Sequence, residues 1–287
     1  MIPAQFDYQA PATLEEAISL LAGDPDGAKV LAGGHSLIPA MKLRLAQPQL
    51  LVDIARIKSL SYIREEGDVI LIGATTTHYQ LESSDLLKNI CPLLPACAGK
   101  IGDVQVRNKG TIGGSLAHSD PAGDWPAAAL ALDAELVLIG PNGERTVKAE
   151  SFFLDLLTTD IKTGEILREI RIAKPSGKFG QAYKKVPHPA SGYAVVGVAV
   201  DLRLNADGSC NAARIGVTGV GLKAFRAHAT EAALTGASLD DQTIAAAAAK
   251  VCDGINPTSD LYASSDYRRH LAEVHTRRAL QAALASV

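Results

Sequence analysis

Ala32-Gly33-Gly34-His35-Ser36-Leu37 and Gly110-Thr111-Ile112-Gly113-Gly114-Ser115 each set two adjacent glycines beside a serine. The first runs from an apolar strand, Ala28-Lys29-Val30-Leu31-Ala32, directly into a helix that opens at Ser36. Glycine has no Cβ, so the chain can approach a ligand closely, take positive φ, and turn consecutive amides toward one anion. Ser36, Thr111 and Ser115 add hydroxyl donors, and amides left free at a helix start favour phosphate oxygens. Two such loops could clasp the two phosphates of one pyrophosphate. The plainer alternative makes each Gly-Gly a tight turn.

Working outward, the N-terminal residues alternate strand and helix. Phe6-Asp7-Tyr8 is extended, and Thr13 with Glu16 forms a capping-box pattern before a helix carrying Leu14, Ala17, Ile18 and Leu21. Leu50 to Ile54 is a further strand. Parallel strands need crossover connections, so this region reads as a small parallel α/β unit. From Ser61 the pattern changes to a hairpin around Glu66-Gly67-Asp68, helices over Thr75–Leu87 and Pro92–Lys100, and a helix over Asp124–Asp133. Strands follow at Glu135–Ile139, Arg145–Val147 and Glu165–Ile172. The cluster Lys174-Pro175-Ser176-Gly177-Lys178 marks a domain boundary. Beyond it come three antiparallel strands, Gln181–Val186, Tyr193–Leu204 and Ala212–Val220, and then helices at Ala227–Leu234, Asp240–Cys252 and Asp266–Leu284.

Composition excludes several classes. The 287 residues carry 28 Lys plus Arg against 31 Asp plus Glu, and 47% are hydrophobic. That balance is globular and argues against a dedicated nucleic-acid-binding domain, whose footprint is a basic excess. No apolar run approaches the roughly 20 residues of a membrane-spanning helix. The start, Met1-Ile2-Pro3-Ala4-Gln5, lacks a basic segment and an apolar core, so the chain reads as cytoplasmic. Cys91, Cys97, Cys210 and Cys252 form no CxxC pair, which removes zinc and iron–sulfur cradles and leaves buried reduced thiols. His118 with Asp120 supplies too few ligands for a metal, so no metal site is expected on this chain. The serines lack a G-x-S-x-G elbow. Neither glycine loop matches a Rossmann GxGxxG or a P-loop, which disfavours a nicotinamide dinucleotide or ATP.

Ala32 to Leu37, Ile72-Gly73-Ala74-Thr75-Thr76, and Arg107 to Ser115 followed by His118-Ser119-Asp120-Pro121-Ala122-Gly123-Asp124 resemble the flavin-binding subunit of molybdenum hydroxylases. That family includes the medium subunit of aerobic carbon monoxide dehydrogenase and the central domain of xanthine dehydrogenase. The resemblance covers essentially the whole chain. It implies an α+β protein with an FAD fold of the vanillyl-alcohol-oxidase (PCMH) type. Residues 1–177 would form the FAD-binding domain, in two α/β subdomains of about 1–56 and 57–177. Residues 178–287 would form a three-stranded antiparallel sheet with a helical bundle.

The resemblance further implies that Ala32, Gly33, Gly34, His35, Ser36 and Leu37, with Thr111, Gly113, Gly114 and Ser115, wrap the FAD pyrophosphate. Asp124 is similar to a carboxylate that binds the adenosine ribose, and otherwise reads as the N-cap of the helix at Trp125-Pro126. Lys185 matches a position near the flavin ring, and otherwise reads as an exposed strand lysine. Tyr193 resembles a ring-neighbouring tyrosine, and otherwise reads as a core aromatic. No catalytic residue is expected here, because a flavin accepts electrons itself.

The chain would then be the electron-transfer subunit of an oxidoreductase. Molybdenum–pterin would sit on a large partner subunit and [2Fe-2S] clusters on a small one, in a dimer of heterotrimers serving an external acceptor. Val186-Pro187-His188-Pro189-Ala190-Ser191-Gly192 resembles relatives acting on aldehydes or N-heterocycles more than those acting on carbon monoxide, and the resemblance leaves carbon monoxide, an aldehyde and an N-heterocycle as substrate classes. A stand-alone FAD-dependent oxidoreductase with a small substrate, and a nucleotide-binding scaffold without redox chemistry, are the alternatives.

Overall fold

The computed structural model describes residues 1–287. The first unit contains β1 (Asp7–Gln9), α1 (Leu14–Gly23), β2 (Ala28–Leu31), α2 (Leu37–Lys42) and β3 (Leu50–Asp53). Its sheet is parallel in the order β1-β3-β2, as the strand and helix alternation requires. Thr13 caps α1 by accepting from Glu16 N, while the Glu16 carboxylate reaches Ala12 N. Ala17, Leu21, Val52, Ile54 and Leu60 form its small core.

The second unit begins with the hairpin β4 (Ile63–Glu66) and β5 (Val69–Gly73). A helical block follows: α3 (His78–Ser83), α4 (Asp85–Ile90), α5 (Leu93–Ala98), α6 (Val104–Lys109), α7 (Ile112–His118) and α8 (Asp124–Ala131). The helix expected over Thr75–Leu87 is two helices. Ser84 is extended, ends α3, and caps α4 by accepting from Leu87 N. β6 (Glu135–Gly140), β7 (Gly143–Lys148), α9 (Ala149–Phe152), the small hairpin β8 (Phe153–Asp155) and β9 (Thr158–Thr159), and β10 (Ile166–Ala173) complete the unit. Its sheet runs β4-β5-β10-β6-β7, antiparallel throughout. Trp125, Phe152, Ile70 and Leu116 are sealed in its core.

The third unit begins with β11 (Lys178–Pro187), so the Pro/Gly/Ser cluster passes straight into a strand. β12 (Ala194–Leu204) and β13 (Cys210–Thr218) follow. A short fourth strand, β14 (Phe225–Arg226), joins the expected three. The helices are α10 (His228–Leu234), α11 (Asp241–Ala248) and α12 (Ser265–Leu284). One face of the sheet packs on α12, and the other receives α8 of the second unit. Contact with α8 is close enough that a Cβ on Gly216 would lie 2.0 Å from the Ala127 carbonyl oxygen. Tyr183, Ala199 and Ala224 accordingly belong to the core built around Trp125. All four cysteines are buried and unpaired by disulfides.

Candidate FAD site

The three units meet around a cleft of about 740 Å³. Val30 to Leu37 of the first unit form one wall. The second unit supplies Gly110, Thr111, Gly113 to Ser115, Leu157 to Thr159 and Ile161 to Leu167, and the third supplies Ser191, Gly192 and Tyr193.

The two glycine motifs touch across it. A Cβ on Gly33 would lie 2.3 Å from the Lys109 carbonyl oxygen and 2.8 Å from Gly110 Cα, distances at which only hydrogen fits. Gly34 has φ +72°, a left-handed conformation that side chains disfavour. The backbone N–H groups of Gly33, Gly34, His35 and Ser36 find no acceptor within the chain, because the first helical bond of α2 is Ile38 N to Gly34 O. Gly33, Gly34 and Ser36 are half-buried and His35 is exposed, so the run is free to donate to an anion. The imidazole of His35 folds back on Gly33 O at 2.9 Å.

The second motif differs from expectation. Gly113 and Gly114 lie in the first turn of α7 and not in a loop, and Thr111 caps that turn, accepting from Gly114 N at 3.1 Å. The amides of Ile112, Gly113 and Ser115 are spent on Thr76 O, Ala74 O and Thr111 O. What remains for a ligand is the Thr111 amide and the Ser115 hydroxyl, neither of which has an acceptor in the chain. Its glycines serve packing within the second unit: a Cβ on Gly113 would lie 2.5 Å from Ala74 Cβ, and one on Gly110 would lie 2.6 Å from His78 Nε2.

Asp124 is not the N-cap of α8; Gly123 is. The Asp124 carboxylate faces the cleft but is 5% exposed, and it pairs with Lys185 Nζ at 2.8 Å and with the Tyr183 hydroxyl. Burial lifts this carboxyl above its ordinary value while Lys185 and Tyr183 pull it back, and the Tyr183 phenol is driven well above its own. Lys185 is no exposed strand lysine. Its side chain is 2% exposed and also donates to Lys100 O at 2.9 Å.

Tyr193 is no core aromatic either. It is 39% exposed and closes a tight loop through His188 N to Tyr193 O at 2.7 Å. Its phenol lies beside the Ser36 hydroxyl, and its pKa is raised by burial and by Asp120 and Asp124. Asp124 and Tyr193 both line the cleft, and the Asp124 charge helps to raise the Tyr193 phenol.

At the 157–167 end the backbone is braced by Arg145. Its guanidinium makes a two-pronged contact with Glu165 at 2.7 and 2.8 Å and a third with Asp160 at 2.6 Å. These bonds hold Glu165 below its ordinary 4.5, and Lys162 with Arg145 holds Asp160 below 3.8. A depressed carboxylate pKa contributes stability that is complete above the ordinary value and is lost as pH falls toward the depressed one. Arg145→Met is therefore expected to flatten the decline in melting temperature below about pH 5, measured across a pH series.

Sequence reasoning missed His78. It stands at the start of α3, lines the cleft, and its Nδ1 accepts from Trp125 Nε1 at 3.0 Å. Nothing in the run Thr75-Thr76-Thr77-His78 separates it from the other histidines.

Residues 4–175 match the family described as FAD binding domain in molybdopterin dehydrogenase, and residues 181–283 match the CO dehydrogenase flavoprotein C-terminal domain. The chain is 42% identical over 285 residues to the carbon monoxide dehydrogenase medium chain of Hydrogenophaga pseudoflava, covering 99% of both chains. It is 38% identical to the glyceraldehyde dehydrogenase medium chain of Sulfolobus acidocaldarius, covering 98% of this chain and 99% of that one. Its structure superposes on a chain of Hydrogenophaga pseudoflava carbon monoxide dehydrogenase lacking the Mo-pyranopterin moiety with a TM-score of 0.97. That match has 44% identity and covers 100% of this chain and 99% of that one. A cradle of free amides in a three-walled cleft, on a chain matched end to end, carries one conclusion: this protein belongs to the FAD-binding medium subunits of the molybdenum hydroxylase family of oxidoreductases.

Proposed function

We propose that this chain holds FAD between its two glycine motifs and serves as the electron outlet of a multi-subunit dehydrogenase. Electrons would arrive from iron–sulfur clusters of a small partner subunit, after substrate oxidation at a molybdenum–pterin centre of a large one, and leave to an external acceptor. The observation that carries this reading is the unpaired amide run Gly33 to Ser36, pressed against Gly110 of the neighbouring unit. Free backbone N–H groups suit a pyrophosphate, because they make charge-assisted bonds to an anion.

Bound FAD supplies a redox centre that accepts electrons one at a time and releases them in pairs. The chain itself positions the cofactor. Ala32 to Leu37 would hold the pyrophosphate, with Thr111, Gly113, Gly114 and Ser115 closing the far side. Tyr193 would cover the ring. Asp124, fixed by Lys185 and Tyr183, would accept from the hydroxyls of the adenosine ribose. We place the domain junction at residues 177 and 178. Four buried free thiols fit a reducing compartment such as the cytoplasm.

Carbon monoxide and glyceraldehyde dehydrogenase medium chains match at 42% and 38%. We therefore assign the choice among carbon monoxide, an aldehyde and an N-heterocycle to the large subunit, and the assembly to a dimer of heterotrimers. The test is an absorption spectrum, native mass and metal analysis of the protein purified with its partners from its host. Flavin bands with iron and molybdenum in co-purifying subunits are expected. Flavin on this chain alone would favour the stand-alone oxidoreductase, and a colourless protein would sink the reading.

Gly114→Val tests the second motif. A Cβ there would meet Thr111 Oγ1 at 2.8 Å and face Ala32 across the gap at 3.9 Å. The variant is expected to fold, because Gly114 is exposed, and to retain markedly less flavin after gel filtration.

A further inference from the structure

His78 is 4% exposed yet lines the cleft. Its Nδ1 accepts from the indole of Trp125. A neutral imidazole has one acceptor and one donor nitrogen, so its proton sits on Nε2. Burial, aided by His35 and Arg107, lowers the ring's pKa to about 4 and keeps it neutral.

Nε2 finds no hydrogen-bond partner in the chain, and unlike the Nδ1 of His275 it is not sealed from solvent. It lies on the Gly110 side: a Cβ built on Gly110 would come within 2.6 Å of it. Gly110 is also where the two glycine motifs meet, since a Cβ on Gly33 would touch Gly110 Cα. A buried ring gripped by one nitrogen, with its other donor left unpaired at the junction of the two motifs, calls for an acceptor that the chain does not provide.

We infer that His78 Nε2–H donates to a phosphate oxygen of the bound dinucleotide, adding a neutral donor to the amides of Gly33 to Ser36. The inference rests on the FAD reading above. Trp125 and His78 are then positioning and binding groups of one device, in which the indole fixes the tautomer that the phosphate needs.

The experiment uses the protein with its co-purifying subunits, stripped of flavin and titrated with FAD, ADP and riboflavin. His78→Phe removes the donor, while His78→Gln keeps an acceptor for Trp125 and a donor for the ligand. Losing a hydrogen bond to a charged acceptor weakens binding roughly 10- to 100-fold. That loss is expected for FAD and ADP in His78→Phe, with riboflavin unchanged and His78→Gln intermediate. Thermal melting and retention of the partner subunits on gel filtration report whether each variant is intact. Unchanged FAD and ADP affinity in a folded His78→Phe protein, or equal losses for riboflavin and ADP, overturns the inference. A wild-type protein that binds neither FAD nor ADP overturns the FAD reading instead.

Discussion

Gly33→Val is expected to empty the protein of flavin while leaving most of its secondary structure in place. The side chain would have to occupy space already held by Lys109 O at 2.3 Å and Gly110 Cα at 2.8 Å, both backbone atoms that cannot rotate away. The relief available is to part the first unit from the second along the line where the pyrophosphate would lie. Each charge-assisted bond lost there is worth about 1.5–3 kcal/mol. Losing two or more weakens FAD binding by over roughly 100-fold. The ratio of flavin absorbance to protein after desalting measures it, with far-ultraviolet circular dichroism to confirm the fold. Full flavin retention would show that the cradle is elsewhere. Gly33→Ala should give a smaller loss in the same direction, because a single methyl group asks for less displacement.

Lys185→Met is expected to have the largest effect on stability. Lys185 and Asp124 are both nearly inaccessible, and the ammonium is the only cation that neutralises the Asp124 carboxylate. Removing one partner of a buried pair leaves an uncompensated charge and costs about 3–5 kcal/mol. Tyr183 would keep its bond to Asp124, but a phenol donates without neutralising. The double variant Asp124→Asn with Lys185→Met should recover much of the loss, since the burden is the stranded charge and not the missing contact.

Sign and pH follow together. With Lys185 gone, Asp124 would be driven to hold its proton, so Lys185→Met should be least destabilised at low pH and progressively worse as pH rises through the raised carboxyl pKa. Denaturant unfolding of the three proteins at several pH values tests both statements. A single-variant cost under about 1 kcal/mol would mean that water reaches the pair.

Much of the framework is legible in the sequence. The runs Ala28–Ala32, Leu50–Ile54 and Val69–Gly73 are apolar and bounded by turn residues, and each is a strand within a residue or so of its expected limits. Thr13 with Glu16 marked the start of α1. What local pattern misjudged were places where distant bonds overrule propensity. Ile112–His118 contains two glycines and reads as loop. It is helical because Thr111 caps it and because Thr76 and Ala74 accept the amides of Ile112 and Gly113. Asp124 beside Trp125-Pro126 reads as a cap, yet its side chain is taken by residues some sixty positions away, Tyr183 and Lys185.

By itself, then, the amino-acid sequence determined most of the elements, the parallel character of the first unit and, through its two glycine motifs, the family. Those features depend on short-range sterics and on the period of apolar residues, which any local window records. Tertiary structure alone decided which amides of the motifs stay free, that Asp124 and Lys185 form one buried pair, and that His78 faces the cleft with a single unspent donor. Each of these is a question of where a polar group finds its partner. For Asp124 that partner lies in another unit, and for Trp125 on a distant helix of its own unit, because a dry interior offers a polar atom no water to satisfy it.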